Sequence, residues 1–454
     1  MTPSAPTQAA PSETASAPAR PLLSSLLRLA GPVALARLGV MGMGVADVVM
    51  VGHLAPKELA NLALGWSPTT VLMLAGIGLL TGVQVLSARA IGQGRPQDSG
   101  AVLRLGLVLS ALAGVASIVL LSLFAEPIFR AFGIEPGLAR AAALVASVLG
   151  LSLPLHLIFI SGSFFLDGVK RPNAATAIMW LANGVNIAAN FWLIPRYGAV
   201  GSAWATVCSR VFLAIAILAW IAWMPQNRQF RLWGRKAGAA DADRPKMAAL
   251  LRIGGAAALS QAVEAGAFTG MTIIAARIGA QTVAGYQILL NAMAVVFMIA
   301  LGFSSATAVL TAEGLGRGDV GRAKRASWLG VWVCGAAMAA CGLVFLLIPM
   351  AIARAYTSDR DVVRLCIMAM PIAALALLPD GVQSVLAQAL RARQDNWFPT
   401  ASHFIAYALF MPPLGWLLAE HWGQGVIGLI HAILWGSVVS AGILAVRLRH
   451  LTRA

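Results

Sequence analysis

Three acidic residues stand in runs where charge is rarely found. Asp47, Glu264 and Asp380 each fall well inside a long apolar stretch. A charge at mid-bilayer costs about 2.5–3.5 kcal/mol on insertion scales, so such residues usually face a cavity and bind something. The chemistry this offers is capture of a cation. The competing reading is a structural ion pair with Arg37 or Arg210, the basic residues that also fall within apolar runs. Arg37 is ten residues before Asp47, about 15 Å along a helix, which argues against that pair. Softer polar groups accompany the acids. Asn183, Asn186 and Asn190 lie at i, i+3 and i+7, on one helix face, and Gln287 and Asn291 at i, i+4. Interhelical hydrogen bonding explains such stripes equally well. The six histidines are dispersed, with no i, i+3 or i+4 pair to hold a metal. No phosphate-binding loop appears, so ATP does not drive this chain.

The elements that must carry these residues follow from composition. Of 454 residues, 59% are hydrophobic and 11% charged. So little charge cannot cover a soluble surface, which excludes soluble enzymes, disordered chains and coiled coils. The basic residues giving a net charge of +16 are scattered between apolar runs. That is the pattern of membrane loops and not of a nucleic-acid face. Four cysteines lie in apolar runs without a C-x-x-C pair. Twelve stretches are long enough to span: 29–51, 66–88, 103–124, 138–160, 174–194, 200–223, 254–276, 284–309, 327–350, 362–388, 397–418 and 425–446. They must be helical, because lipid offers backbone groups no partners. Pro371 and Pro379 in the tenth span are expected to bend it and free carbonyls near Asp380, and Pro32 is expected to bend the first span.

Lys and Arg split 23 to 8 between the two sides, which places both termini in the cytoplasm. The expected organisation is a disordered tail over 1–21, a six-helix bundle over 22–223, a cytoplasmic linker over 224–252, a second six-helix bundle over 253–446 and a tail over 447–454. The halves repeat at an offset of 224 residues: Gly92-Gln93-Gly94 lies over Gly316-Arg317-Gly318. Six spans per copy give both copies the same orientation, related by an axis along the membrane normal. The fold class is therefore all-α membrane, with a binding site between the halves.

Four motifs in order resemble the MATE (multidrug and toxic compound extrusion) family in its three-carboxylate bacterial branch. These are Pro32 with Met41–His53 around Asp47; Glu264 followed by Ala284–Asn291; Asp380-Gly381-Val382-Gln383 with Leu390-Arg391; and Asn186–Asn190 with Gly201–Thr206. The resemblance implies a V-shaped pair of six-helix bundles in the bacterial inner membrane. It implies antiport of cationic, amphipathic drugs against Na⁺ or H⁺, with Asp47, Glu264 and Asp380 in coupling and binding, and Na⁺ held at Glu264 and Asp380. Tyr286 replaces that family's usual His, and Ala376 stands where some relatives carry Tyr. The expected partners are small organic cations, a monovalent coupling cation and membrane lipids. No cofactor and no nucleic acid are expected, and the working unit is expected to be a monomer. The rivals are a lipid-linked oligosaccharide flippase of the same superfamily, a major-facilitator transporter, whose loop signature Ala90–Asp98 does not fit, and a polytopic membrane enzyme.

Overall fold

A computed structural model describes residues 21–232 and 247–453. Twelve long helices run through them: α1 (Leu22–Leu54), α2 (Leu59–Gly92), α3 (Pro96–Ala131), α4 (Pro136–Gly168), α5 (173–197), α6 (199–223), α7 (Met247–Ile278), α8 (Ala280–Gly316), α9 (Val320–Leu347), α10 (Arg360–Ala392), α11 (Trp397–His421) and α12 (Val426–Arg453). Helices α5 and α6 join at Gly198 without a loop. Its φ of 57° lies in the left-handed region that glycine enters without a Cβ penalty. Among the described residues, ten helices are long and apolar enough to cross a membrane, α5 and α6 counting as one. Helix α7 is more polar, carrying Ser260, Gln261, Glu264, Thr269 and Thr272.

The repeat is visible in the backbone. Gly94 and Gly318 close the α2–α3 and α8–α9 turns with φ of 70° and 75°, and Lys170 and Gln394 close the α4–α5 and α10–α11 turns with φ of 62° and 67°. Each pair is 224 residues apart. The halves also meet symmetrically. A Cβ on Gly78 would stand 2.7 Å from Ala258 Cα, and one on Gly302 would stand 2.8 Å from Ala34 Cβ. A Cβ on Gly92 would meet the Glu313 carbonyl at 2.2 Å, and one on Gly316 the Arg89 carbonyl at 2.3 Å. Only glycine permits such approaches, so the motif singled out by its spacing is where the two copies touch.

All of these contacts lie at the end of the bundle that carries the start of α1 and the end of α12. The apolar cores agree. At that end the cores mix both halves: Leu26, Ala30 and Val85 pack with Ala306 and Val309, and Leu250 packs with Val83 and Phe165. At the other end each half has its own core, around Val51 and Leu149 in one and Met271 and Tyr286 in the other. Shared burial at one end and separate burial at the other make the V-shaped cleft.

Several boundaries differ from expectation. Helix α7 already runs at Met247, so 247–252 belong to a helix and not to the linker. The linker residues 233–246, and residues 1–20 and 454 of the expected tails, lie outside the described residues. Helix α12 continues to Arg453, so 447–453 are helical: basic side chains near a helix C-terminus favour the dipole and do not end it. Pro32, Pro371 and Pro379 sit inside helices that run on uninterrupted. The irregular helix is α11, whose turns widen to π geometry over Phe404–Phe410 and Trp416–His421, either side of Pro412-Pro413. Proline lacks the N–H that a regular turn would use, and the ladder adjusts around it.

Candidate functional site

The three acids do not converge on one point. Asp47 belongs to the first half, Glu264 and Asp380 to the second. Asp47 is fully buried on α1. Its Oδ1 accepts from Asn186 Nδ2 at 3.1 Å and Asn190 Nδ2 at 2.7 Å, and its Oδ2 from Thr206 Oγ1 at 2.7 Å. Helices α1, α5 and α6 thus meet on one carboxylate. Two of the three asparagines of the α5 stripe are used here. Asn183 instead donates to the Gly39 carbonyl at 3.0 Å, and Gly39 packs against Met179 so closely that a Cβ would stand 2.5 Å from its Cγ. The α1 glycines Gly39 and Gly42 therefore serve helix packing. Asp47 makes no ion pair among the described residues. Its charge rests on three hydrogen bonds, and Asn190 Oδ1 is buried beside it with no donor.

In the second half Asp380 lies on α10, 9% exposed. Its Oδ1 accepts from Ser437 Oγ of α12 at 3.2 Å and Tyr407 Oη of α11 at 3.4 Å, and those two hydroxyls stand 3.2 Å apart. Three oxygens therefore form a near-equilateral triangle. Tyr407 packs edge-on against His403, whose Nδ1 is 3.9 Å from Glu264 Oε2. Glu264 and Asp380 are thus joined across α7, α11 and α10 by an imidazole and a phenol. Glu264 is the more open acid, its side chain 16% exposed. Gln287 Nε2 donates to Thr272 Oγ1 of α7 at 3.2 Å. Asn291 is exposed and donates to its own helix at the Gln287 carbonyl, 3.0 Å away. Among the described residues no cluster of His, Cys, Asp and Glu has the makings of a metal centre.

The MatE family profile matches this chain twice, over residues 32–192 and 256–417, and the two matches begin 224 residues apart, as the paired glycines do. The chain belongs to the MatE family. A probable multidrug resistance protein NorM of Caulobacter vibrioides is 42% identical over 94% of this chain and 92% of its own. The multidrug resistance protein NorM of Burkholderia vietnamiensis is 32% identical over 92% and 90%. Among solved structures, the eukaryotic MATE transporter AtDTX14 superposes with a TM-score of 0.85 at 18% identity, covering 95% of this chain and 97% of that one. An outward-facing MATE family multidrug resistance transporter of the MOP superfamily gives 0.86 at 20%, covering 95% and 96%. The fold is that of a twelve-helix membrane transporter.

Within this MatE chain, several site residues escape a reading of the sequence. His403, Tyr407 and Ser437 come from helices remote in sequence, and a lone hydroxyl or imidazole in an apolar run carries no periodic signal. Thr206 lies within the Gly201–Thr206 motif, which does not single it out. Two further buried acids look like loop residues because basic residues follow them. Asp167, 2% exposed, accepts from Gln84 Nε2 at 3.2 Å, and Gln84 also donates across the halves to Ser305 Oγ. Glu313, 1% exposed, is clamped between Arg317 Nη2 at 2.5 Å and Lys170 Nζ of the opposite half. These polar ties sit at the closed end, beside the touching glycines.

Proposed function

We propose that this protein is a secondary active efflux antiporter that exports cationic, amphipathic drugs or toxins in exchange for Na⁺ or H⁺. The observation that carries the reading is the pair of buried carboxylate sites, one in each half, held by neutral hydrogen-bond donors. The names of the NorM relatives point the same way. A carboxylate in a wet cleft draws an organic cation by about 4 kcal/mol at 4 Å and an effective dielectric near 20. The oxygen triangle of Asp380, Tyr407 and Ser437 suits a small cation capping its face, and Asn190 Oδ1 offers a spare acceptor at Asp47. A coupling cation that neutralises the acids weakens the hold on the drug, so the two ligands favour opposite states of one equilibrium.

The basic residues put the termini, and with them the closed end, on the cytoplasmic side of a bacterial inner membrane. The cleft then opens outward, the state from which a drug leaves. Exported compounds are small organic cations, and the monomer is the transporting unit.

The test is transport by reconstituted protein. Glu264→Gln and Asp380→Asn should each cut tetraphenylphosphonium and ethidium export roughly tenfold or more while still reaching the membrane. Movement of ²²Na⁺ against the drug, or of protons, identifies the coupling ion. Full export by both variants would end the proposal.

A further inference from the structure

Arg210 on α6 is a buried charge that neither carboxylate site uses. It is 2% exposed. Its Nη1 donates to Ser152 Oγ at 2.7 Å, its Nη2 lies 3.4 Å from Met73 Sδ, and its Nε has no partner. Its Cζ stands 5.5 Å from the centre of the Trp66 ring. A hydroxyl, a thioether and an indole face compensate a guanidinium poorly, and a buried charge of this kind calls for a counter-charge.

That counter-charge is one turn away. Thr206 and Arg210 are four residues apart on α6 and share its inner face. Thr206 donates to Asp47 Oδ2 at 2.7 Å. Asp47 is the carboxylate whose field reaches Arg210, although the two form no ion pair within 4 Å among the described residues. His156 of α4 is the ionisable group that faces Arg210 from the neighbouring helix, and it also faces Arg37 of α1. His156 is one turn from Ser152, buried, with both ring nitrogens unpartnered. Helix α2 contributes the neutral Trp66 and Met73.

We propose that Arg210 is a tethered counter-cation for Asp47, holding the first half near electrical neutrality when the Asp47 site is empty and competing with any cation that enters it. Close enough to offset the charge and too far to seal the carboxylate, it weakens the site and speeds its emptying. This rests on the reading of Asp47 as a cation site. It goes beyond that reading by giving the site a built-in competitor.

A double-mutant cycle on the full chain tests it. In Na⁺-free choline buffer at pH 8, Arg210→Met should melt about 5 °C or more below the wild type. Asp47→Asn in the same chain should recover at least half of that loss. Arg210→Gln keeps a donor for Ser152 and should behave like Arg210→Met, while Arg210→Lys should stay near the wild type. A charge left uncompensated also seeks a new partner. The melting point of Arg210→Met should therefore rise with added Na⁺, or on acidification to pH 6, more steeply than that of the wild type. Recovery with Na⁺ identifies sodium as the occupant, and recovery with acid alone identifies the proton. Strictly additive losses, or a melting point of Arg210→Met indifferent to both, would overturn the proposal. Should Asp47→Asn export drug at the wild-type rate, the coupling role of Asp47 fails, while the cycle still judges Arg210 separately.

Discussion

Thr176 and Thr400 make one hydrogen bond twice over: each hydroxyl donates at 2.7 Å to the carbonyl 144 residues earlier in the chain, Pro32 in one half and Ala256 in the other. The bonds tie α5 to α1 and α11 to α7 at equivalent places. Their surroundings differ. Arg391 Nη2 donates to Ser260 Oγ at 2.8 Å, and Ser260 donates on to Thr400 Oγ1 at 3.1 Å. Thr176 receives no such chain. Replacing Thr176 with Val should cost about 1 kcal/mol, the worth of one hydrogen bond. Thr400→Val should cost about 2 kcal/mol, because it also strands Ser260 below a buried guanidinium. Equal melting losses in the two variants would show that the relay from Arg391 contributes nothing.

The tie between Lys170 and Glu313 crosses the halves at the closed end. Arg317 keeps Glu313 compensated when Lys170 is removed, so Lys170→Ala should loosen that end without unfolding the protein. A cysteine replacing Ser305 reports on the opening. Its labelling by a maleimide applied from the terminal side should rise several-fold in Lys170→Ala and return toward the starting rate in Lys170→Arg. Unchanged labelling would assign the closure to the touching glycines alone.

Tyr407 and Ser437 aim Asp380 by donating to one of its oxygens. Tyr407→Phe and Ser437→Ala each delete one donor and leave the carboxylate. Each should raise the KM for tetraphenylphosphonium export about threefold to tenfold, in keeping with about 1 kcal/mol per hydrogen bond. The double variant should approach Asp380→Asn. An unchanged KM in both single variants would make these hydroxyls bystanders.

Gly92 and Gly316 touch backbone, which cannot retreat as a side chain can. Gly92→Val and Gly316→Val should each lose about 1–3 kcal/mol of stability, the usual cost of overpacking. Gly44 provides the control, since a Cβ there would meet nothing within 4 Å. Gly44→Ala should hold or gain stability, because alanine favours a helix over glycine. Melting curves of the three proteins decide the matter.

The spans and the repeat were legible because apolar length and charge are signals along one dimension. Asp47, Glu264 and Asp380 stood out against that background, and Asn186 and Asn190 declared their shared face by spacing. The partners of the acids were not legible. Which face of α11 or α12 meets α10 is settled only by packing, so Tyr407 and Ser437 looked like any polar residue in a span. Gln287 and Asn291 share a face by spacing but differ in partner: one reaches Thr272 on α7, the other its own helix. Pro412-Pro413 in α11, where the turns widen to π geometry on either side, carried no comparable signal, because no acid in that run drew attention to them. Asp167 and Glu313 were disguised by the basic residues that follow them, which gave them the look of solvated loop ends.

The glycine contacts at the closed end have a pharmacological corollary. Main chain seated on main chain gives a blocking compound no side chain to displace at those contacts. In the proposed orientation, the place for a blocker is the mouth on the outer face, between the two carboxylate sites. A compound acting there need never enter the cell that it re-sensitises.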